Sequence, residues 1–221
     1  LADFHEPLVE TIKGFHNMRW RFTQWDESVA RNAAGRVDSC LEEIEWIESR
    51  RKEMLDFAEL IENGTIPCRV THNDTKISNI LFDAKTREVL CAIDLDTVMS
   101  ASVLNDVGDA LRCYTNTGAE DAQDLSTVSM SLEMFTAYIR GYLSEMGPSL
   151  CPAELDYLAF SGRYITFEQV LRFLMDYLDG DTYYKTKYPE HNLVRARAQY
   201  RLLQSMEAQF PQMCEIVSAL R

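Results

Sequence analysis

From about Val37 to Glu62, Leu41, Ile44, Ile47, Leu55, Ala58 and Ile61 recur at three- and four-residue steps among Glu, Arg and Lys. That period predicts one long amphipathic helix, ended by Asn63-Gly64, with its charged face (Glu42, Glu43, Glu45, Glu48, Arg50, Arg51, Lys52, Glu53) turned to solvent. Ahead of it, Leu1 to Asn17 has no clean period and predicts a short helix and a loop, and Met18 to Asp26 carries Trp20, Phe22 and Trp25 as a packing segment. After Pro67 the character changes. Cys68 to Thr71, Asn79 to Phe82 and Val89 to Ile93 are strand-like, with Asp83-Ala84-Lys85-Thr86 as the turn between the last two. Helical periods then return over Asn105 to Thr115, Ser126 to Met146, Pro152 to about Leu178, His191 to Gln209 and Pro211 to Leu220. Gly147-Pro148 stops the second of these, and Pro152 suits the first turn of the third, with Gly180 just beyond it. The expected class is mainly α with a small β-hairpin region (α+β).

Composition narrows the functions. The chain has 221 residues, 46% hydrophobic and 26% charged, with a net charge of −13. This is an ordinary globular balance, and the negative charge argues against a nucleic-acid binder, which needs clustered Lys and Arg to neutralise phosphates. No apolar run has membrane-span length and no signal peptide opens the chain, so a cytoplasmic protein is expected. The six cysteines are scattered without metal-ligand spacing and read as reduced core thiols. His5 and His16 show no partner in the sequence and read as surface or capping residues. The chain opens on Leu1 rather than Met, and the expectation is that a segment upstream has been removed.

The chemistry concentrates between Arg69 and Thr97. His72 and Asp74 stand two apart, Asn79 follows five after Asp74, and Asp94 ends the next apolar run. Phosphoryl transfer needs an acceptor hydroxyl placed in line and the charge on the moving group neutralised. Asp74 suits the acceptor's proton, and Asn79 and Asp94 supply the hard oxygen ligands that Mg²⁺ prefers, with ATP as the phosphoryl donor. Lys76 offers a mobile positive charge for a phosphate oxygen, and His72 is expected to brace the loop.

These segments resemble the aminoglycoside phosphotransferase and choline kinase superfamily, and within it the N-acetylhexosamine 1-kinases. The resemblance rests on Thr71 to Asp83 and Ile93 to Met99, and continues through Asn105-Asp106-Val107-Gly108-Asp109-Ala110 and the Asp-Gly-Asp-x-Tyr-Tyr segment at Asp181. It implies a protein-kinase-like fold that uses ATP and Mg²⁺ to phosphorylate a sugar, plausibly the anomeric hydroxyl of an N-acetylated hexosamine. It also implies that the carboxylate of Asp109 braces the catalytic loop. For the sugar it points to the region of Arg172, Asp181 and Tyr183; Thr97, just past Asp94, is a further candidate. The other reading of Arg172 and Tyr183 is a surface Arg and a core Tyr.

The chain departs from such kinases in one respect. None of its nine glycines forms a nucleotide-covering loop, and none of its lysines sits in a Val-Ala-Ile-Lys-like strand. The expectation is the large C-terminal lobe alone, over residues 1–221, partnered by its own missing N-terminal lobe and inefficient at turning over ATP by itself. Among rivals, a sulfatase is rejected, because Thr65-Ile66-Pro67-Cys68-Arg69 puts Thr where the nucleophile must be Cys or Ser. A kinase of the same fold acting on an amino alcohol, homoserine or an aminoglycoside stays open, as does a non-catalytic sugar-binding module.

Overall fold

The computed structural model describes residues 12–221. His5 and most of the first expected helix lie outside the described residues. The first helix, α1 (Met18–Arg31), is capped by Asn17, whose side chain accepts the Trp20 N–H, and buries Met18, Phe22 and Trp25 along one face. The packing segment predicted there is thus the start of a longer helix.

The single helix predicted over Val37–Glu62 is two: α2 (Leu41–Glu48) and α3 (Arg51–Glu62). They part at Ser49-Arg50, where the Arg50 guanidinium makes paired hydrogen bonds of 2.6 and 2.8 Å to Glu207, far along the chain. The heptad-like spacing runs across the break because both halves face the same core.

Four short strands follow among the described residues. β1 (Arg69–Thr71) pairs antiparallel with β4 (Met99–Ala101), and β2 (Ile80–Phe82) pairs antiparallel with β3 (Val89–Ala92), with a bulge between Leu81 and Phe82. The pairing Thr71↔Met99 closes a ring of chain, and the β2–β3 hairpin projects from it. β4 was not foreseen, since three residues carry too little periodicity to announce a strand.

The rest is helical: α4 (Val103–Tyr114), α5 (Leu132–Met146), α6 (Pro152–Leu178), α7 (His191–Ala208) and α8 (Phe210–Leu220). α5 begins six residues later than predicted, because Leu125–Thr127 forms a turn of 3₁₀ helix and Met130 bridges to Asn116. α6 is the central beam and is buried on nearly every side, which a helix enclosed by others requires. Its start is fixed by Glu154, which accepts the Cys151 N–H at 2.7 Å and an Arg69 guanidinium N–H at 2.7 Å. α4 crosses α6 at Gly108, where a Cβ would stand 2.4 Å from the Ser161 carbonyl oxygen. The observed class is the expected one, mostly helical with small antiparallel sheets.

All six cysteines are free thiols, but Cys40 alone is buried, while Cys68, Cys91 and Cys214 are exposed. The reading of core thiols therefore holds for one of them. Among the described residues no helix is long and apolar enough to cross a membrane.

Candidate active site

The loop from His72 to Asn79 leaves β1 and enters β2. Its first two peptide N–H groups are pinned by one carboxylate on α4: Asp106 Oδ2 accepts from His72 (2.9 Å) and Oδ1 from Asn73 (2.6 Å). Burial pushes the Asp106 carboxyl up, and the two backbone N–H groups pull the other way. Further along, the Thr75 hydroxyl donates to the Asp106 carbonyl at 2.7 Å, and the Tyr114 hydroxyl donates to the Thr75 carbonyl. The His72 ring faces the Ile93 carbonyl through Nε2 at 2.9 Å, which places its proton there and leaves the buried Nδ1 without a partner.

Within this frame Asp74 is only partly exposed. Its Oδ2 accepts from Lys76 Nζ at 2.6 Å and from Asn79 Nδ2 at 2.9 Å, and the same Asn79 amide also reaches the Asp74 carbonyl at 2.9 Å. Both N–H bonds of the Asn79 amide are thereby used, so its Oδ1 is the atom left for a cation. Burial works against the Lys76 charge, but the Asp74 hydrogen bond and the carboxylates of Asp74, Asp94 and Asp109 outweigh it and hold its pKa above the ordinary amine value. The Ile93 N–H donates to the Asn79 carbonyl at 2.9 Å, which brings the next residue, Asp94, beside Asn79. Asp94 has a left-handed backbone (φ 63°), tolerable for Asp, and an exposed side chain.

Among the described residues no three His, Cys, Asp or Glu side chains gather as a metal site. An amide oxygen and one carboxylate fit the sparse protein coordination of Mg²⁺, which keeps water and takes substrate phosphates for the rest.

Three of the expected site residues have their side chains bonded elsewhere in the fold. Asp109 does not hold the loop; its Oδ1 takes Arg112 at 2.8 Å, its Oδ2 is buried without a partner, and Asp106, one helical turn earlier, does the bracing. Thr97 is buried and donates its hydroxyl to the His72 carbonyl at 2.6 Å, so it holds the loop rather than facing a sugar. Asp181 is bound to Arg36 (2.7 Å) and Asn192 (2.9 Å), which uses both carboxylate oxygens inside the fold.

Arg172 and Tyr183 do come together. They line a cleft of about 230 Å³ with Arg21, Met175, Asp176 and Tyr184. Arg172 is buried and stacked near the rings of Tyr184 (5.7 Å) and Tyr183 (6.0 Å). The loop carrying Tyr183 is shaped by Asp176, which the sequence did not single out: its carboxylate accepts the N–H groups of Tyr183 (2.8 Å) and Tyr184 (3.0 Å) and the Asn192 amide (2.8 Å).

His16 was read as a surface or capping residue and is neither. Its side chain is 6% exposed; Nδ1 lies 2.7 Å from Glu168 Oε2, and Nε2 lies 3.1 Å from the Asn73 carbonyl. No sequence signal pairs it with residues so distant. Another cavity, about 320 Å³, is lined by His16, Asn73 and Asn105 and not by Asp74, Asn79 or Asp94. Size alone is therefore a poor guide to the chemistry here.

A loop braced by a helix carboxylate, a half-exposed Asp held by Lys and Asn, and a second Asp beside that Asn make the geometry of a kinase-type phosphoryl transferase. The match to the description "Phosphotransferase enzyme family" (APH) spans residues 1–142, well over half of the chain. The protein belongs to this phosphotransferase family, and its activity is phosphoryl transfer to a small molecule.

Proposed function

We propose that the protein transfers the γ-phosphoryl group of ATP, with Mg²⁺, to a hydroxyl of a neutral sugar, best matched by the anomeric hydroxyl of an N-acetylhexosamine. The observation that carries this reading is the Asp74 carboxylate, held by Lys76 and Asn79 with Asp94 beside them. Asp74 accepts the hydrogen of the acceptor hydroxyl; as the new O–P bond forms and the bond to the β-phosphate oxygen breaks, Asp74 takes the proton and ADP leaves. Lys76 moves from Asp74 towards a phosphate oxygen once the hydroxyl is in place. Asn79 Oδ1 and Asp94 hold Mg²⁺, which when bound neutralises phosphate charge.

The lining of the cleft at Arg172 supports the choice of a neutral acceptor. Two guanidinium groups, Arg21 and Arg172, and two carboxylates line it; Arg21 is bonded to Glu168 (3.1 Å) and the Phe15 carbonyl (2.6 Å), Asp176 to three backbone N–H groups, and Asp179 to Ser28 (2.9 Å) and Arg31 (2.6 Å). Such a cleft offers an ammonium group no unengaged carboxylate, whereas a polyhydroxyl or amide oxygen can accept from the Arg172 guanidinium. Tyr183, 72% exposed, offers a ring face to a sugar.

The nucleotide side is open. Val89 and Leu90 of β3 are 64% and 62% exposed, and Leu81, Phe82, Ile93 and Leu95 add to the exposed apolar surface around the hairpin. We take it as the surface against which the nucleotide and a covering lobe pack. The test is a phosphate-transfer screen of the full-length protein with ATP, Mg²⁺ and a panel of N-acetylhexosamines, hexoses, amino alcohols and homoserine. The expected product is an acid-labile hexosamine 1-phosphate; preferential transfer to an amino alcohol or to homoserine overturns the sugar assignment, and sugar binding without turnover favours the non-catalytic module.

A further inference from the structure

We propose that His16 is a positioning residue of the transfer reaction: clamped as an imidazolium by Glu168, it holds the carbonyl of Asn73 and so fixes the peptide that carries Asp74. The proposal rests on the reading of Asp74 as the group that accepts the acceptor's proton.

The protonation state follows from the partners. A carboxylate and a peptide carbonyl have no hydrogen to give, and they face the two ring nitrogens at 2.7 and 3.1 Å. A neutral imidazole has one N–H and would set a lone pair against one of these oxygens. Only the imidazolium donates to both. Among the described residues His16 alone is hydrogen-bonded to that oxygen, while Arg21 Nε binds the opposite one, Oε1, at 3.1 Å and Arg172 adds its charge nearby.

The groups around the ring divide by sign. Glu168 on α6 favours the charge; Arg172 on α6 opposes it, and Arg21 on α1 adds a second positive neighbour. Asp106 on α4, facing from the loop side, senses both His16 and His72. Burial disfavours the imidazolium most, yet the charge and hydrogen bond of Glu168 and the Asn73 carbonyl outweigh it, so the His16 pKa lies above its ordinary value. The ring is also fixed sideways, with Phe15 edge-on at 4.7 Å and the Phe15 carbonyl accepting from Arg21 at 2.6 Å.

Asn73 is worth holding. Its backbone is left-handed (φ 64°), its N–H is taken by Asp106, and its side-chain amide donates to the carbonyls of Thr71 (3.3 Å) and Thr97 (3.0 Å). His16 binds the one remaining backbone group. Without it, the Asn73 carbonyl loses its partner, and the peptide that leads into Asp74 is held only from its two sides, by Asp106 and by Asn79.

The amide N–H of Asp74 belongs to the same peptide as the Asn73 carbonyl, so it reports on His16 directly. In the full-length protein labelled with ¹⁵N, the His16 ring nitrogens should both carry protons at neutral pH. The ring should titrate above the ordinary histidine value of about 6.5, and the Asp74 amide should shift along the same curve. Phosphate transfer should fall on the alkaline side with that titration. Glu168→Gln should move the alkaline limb to lower pH by about one unit or more. His16→Gln should abolish the limb and the Asp74 co-titration and lower kcat about tenfold, with KM for ATP within about twofold.

A neutral His16 ring at pH 7, an Asp74 amide that ignores its titration, or wild-type kcat and pH profile in His16→Gln overturns the proposal. The wild-type titration needs no variant and decides even if the substituted chains fail to fold. If Asp74→Asn keeps full turnover, the assignment of Asp74 falls instead, and the two failures are distinct.

Discussion

Lys76 Nζ stands 2.6 Å from Asp74 Oδ2, so the group assigned to the acceptor's proton is already paired with the cation assigned to the phosphate. An amide at position 74 still accepts from Lys76 and Asn79 through its oxygen, but it takes up no proton. Asp74→Asn should therefore lower kcat by about a thousandfold or more while the thermal unfolding midpoint stays near wild type. Steady-state kinetics and a circular-dichroism melt on one preparation check both halves.

Asp106 and Asp109 lie one turn apart on α4, and their substitutions should separate. Asp106→Ala strips the partner from two backbone N–H groups at the loop, at a cost of about 2 to 4 kcal/mol in stability, together with a marked fall in kcat. Asp109→Asn weakens the pair with Arg112 and should show mainly as lost stability. Chemical denaturation alongside turnover tests whether the brace is at 106.

Gly108 is needed for its missing side chain. In Gly108→Ala the new Cβ meets the Ser161 carbonyl, a backbone atom that yields only if α4 and α6 move apart. We expect a loss of about 1 to 3 kcal/mol. Gly141→Ala on α5 meets nothing within 4 Å and should gain up to about 1 kcal/mol. If both substitutions behave alike in urea denaturation, the close crossing is not what Gly108 serves.

The buried ion pair sets the acid limb of stability. Burial alone would raise the Glu168 carboxyl, but His16, Arg21 and Arg172 overcome it and hold the pKa down at about 2. A depressed carboxylate contributes stability above its unfolded pKa of about 4.3 and loses it as pH falls through the folded value. His16 has the opposite sign: its contribution is whole below about 6.5 and fades as pH rises through its raised value. Denaturation midpoints should thus fall between about pH 4 and pH 2, and again above neutrality, and both slopes should flatten in Glu168→Gln.

Arg172→Met should raise the acceptor KM by about tenfold or more and leave the nucleotide KM within about twofold, because the cleft it lines is separate from Asn79 and Asp94. Equal effects on both substrates in initial-rate measurements would remove Arg172 from the acceptor site.

The parts legible in the sequence were those whose partners are close in the chain. Asp74, Lys76 and Asn79 contact one another across a few peptides, and the β2–β3 hairpin follows from two apolar runs and a polar turn. The bounds of α6 were legible because Pro152 and Gly180 mark them. What stayed hidden depends on packing. Either Asp106 or Asp109 had the composition of a brace, and only the rotation of α4 against the loop decides between them. Arg50 breaks the helix predicted over Val37–Glu62 through a partner 157 residues away, and His16 meets Glu168 152 residues away. Thr97 and Asp181 were placed near the right loops, but their oxygens are occupied inside the fold.

The contact between Gly108 and Ser161 keys two helices into one beam. One end of it carries Asp106, which holds the loop of Asp74, and the other carries Arg172, which lines the cleft proposed for the acceptor. Exposed side chains on the loop after α6, such as Tyr183, can be exchanged without touching that hold. Acceptor preference can therefore drift in descent while the transfer chemistry keeps its alignment.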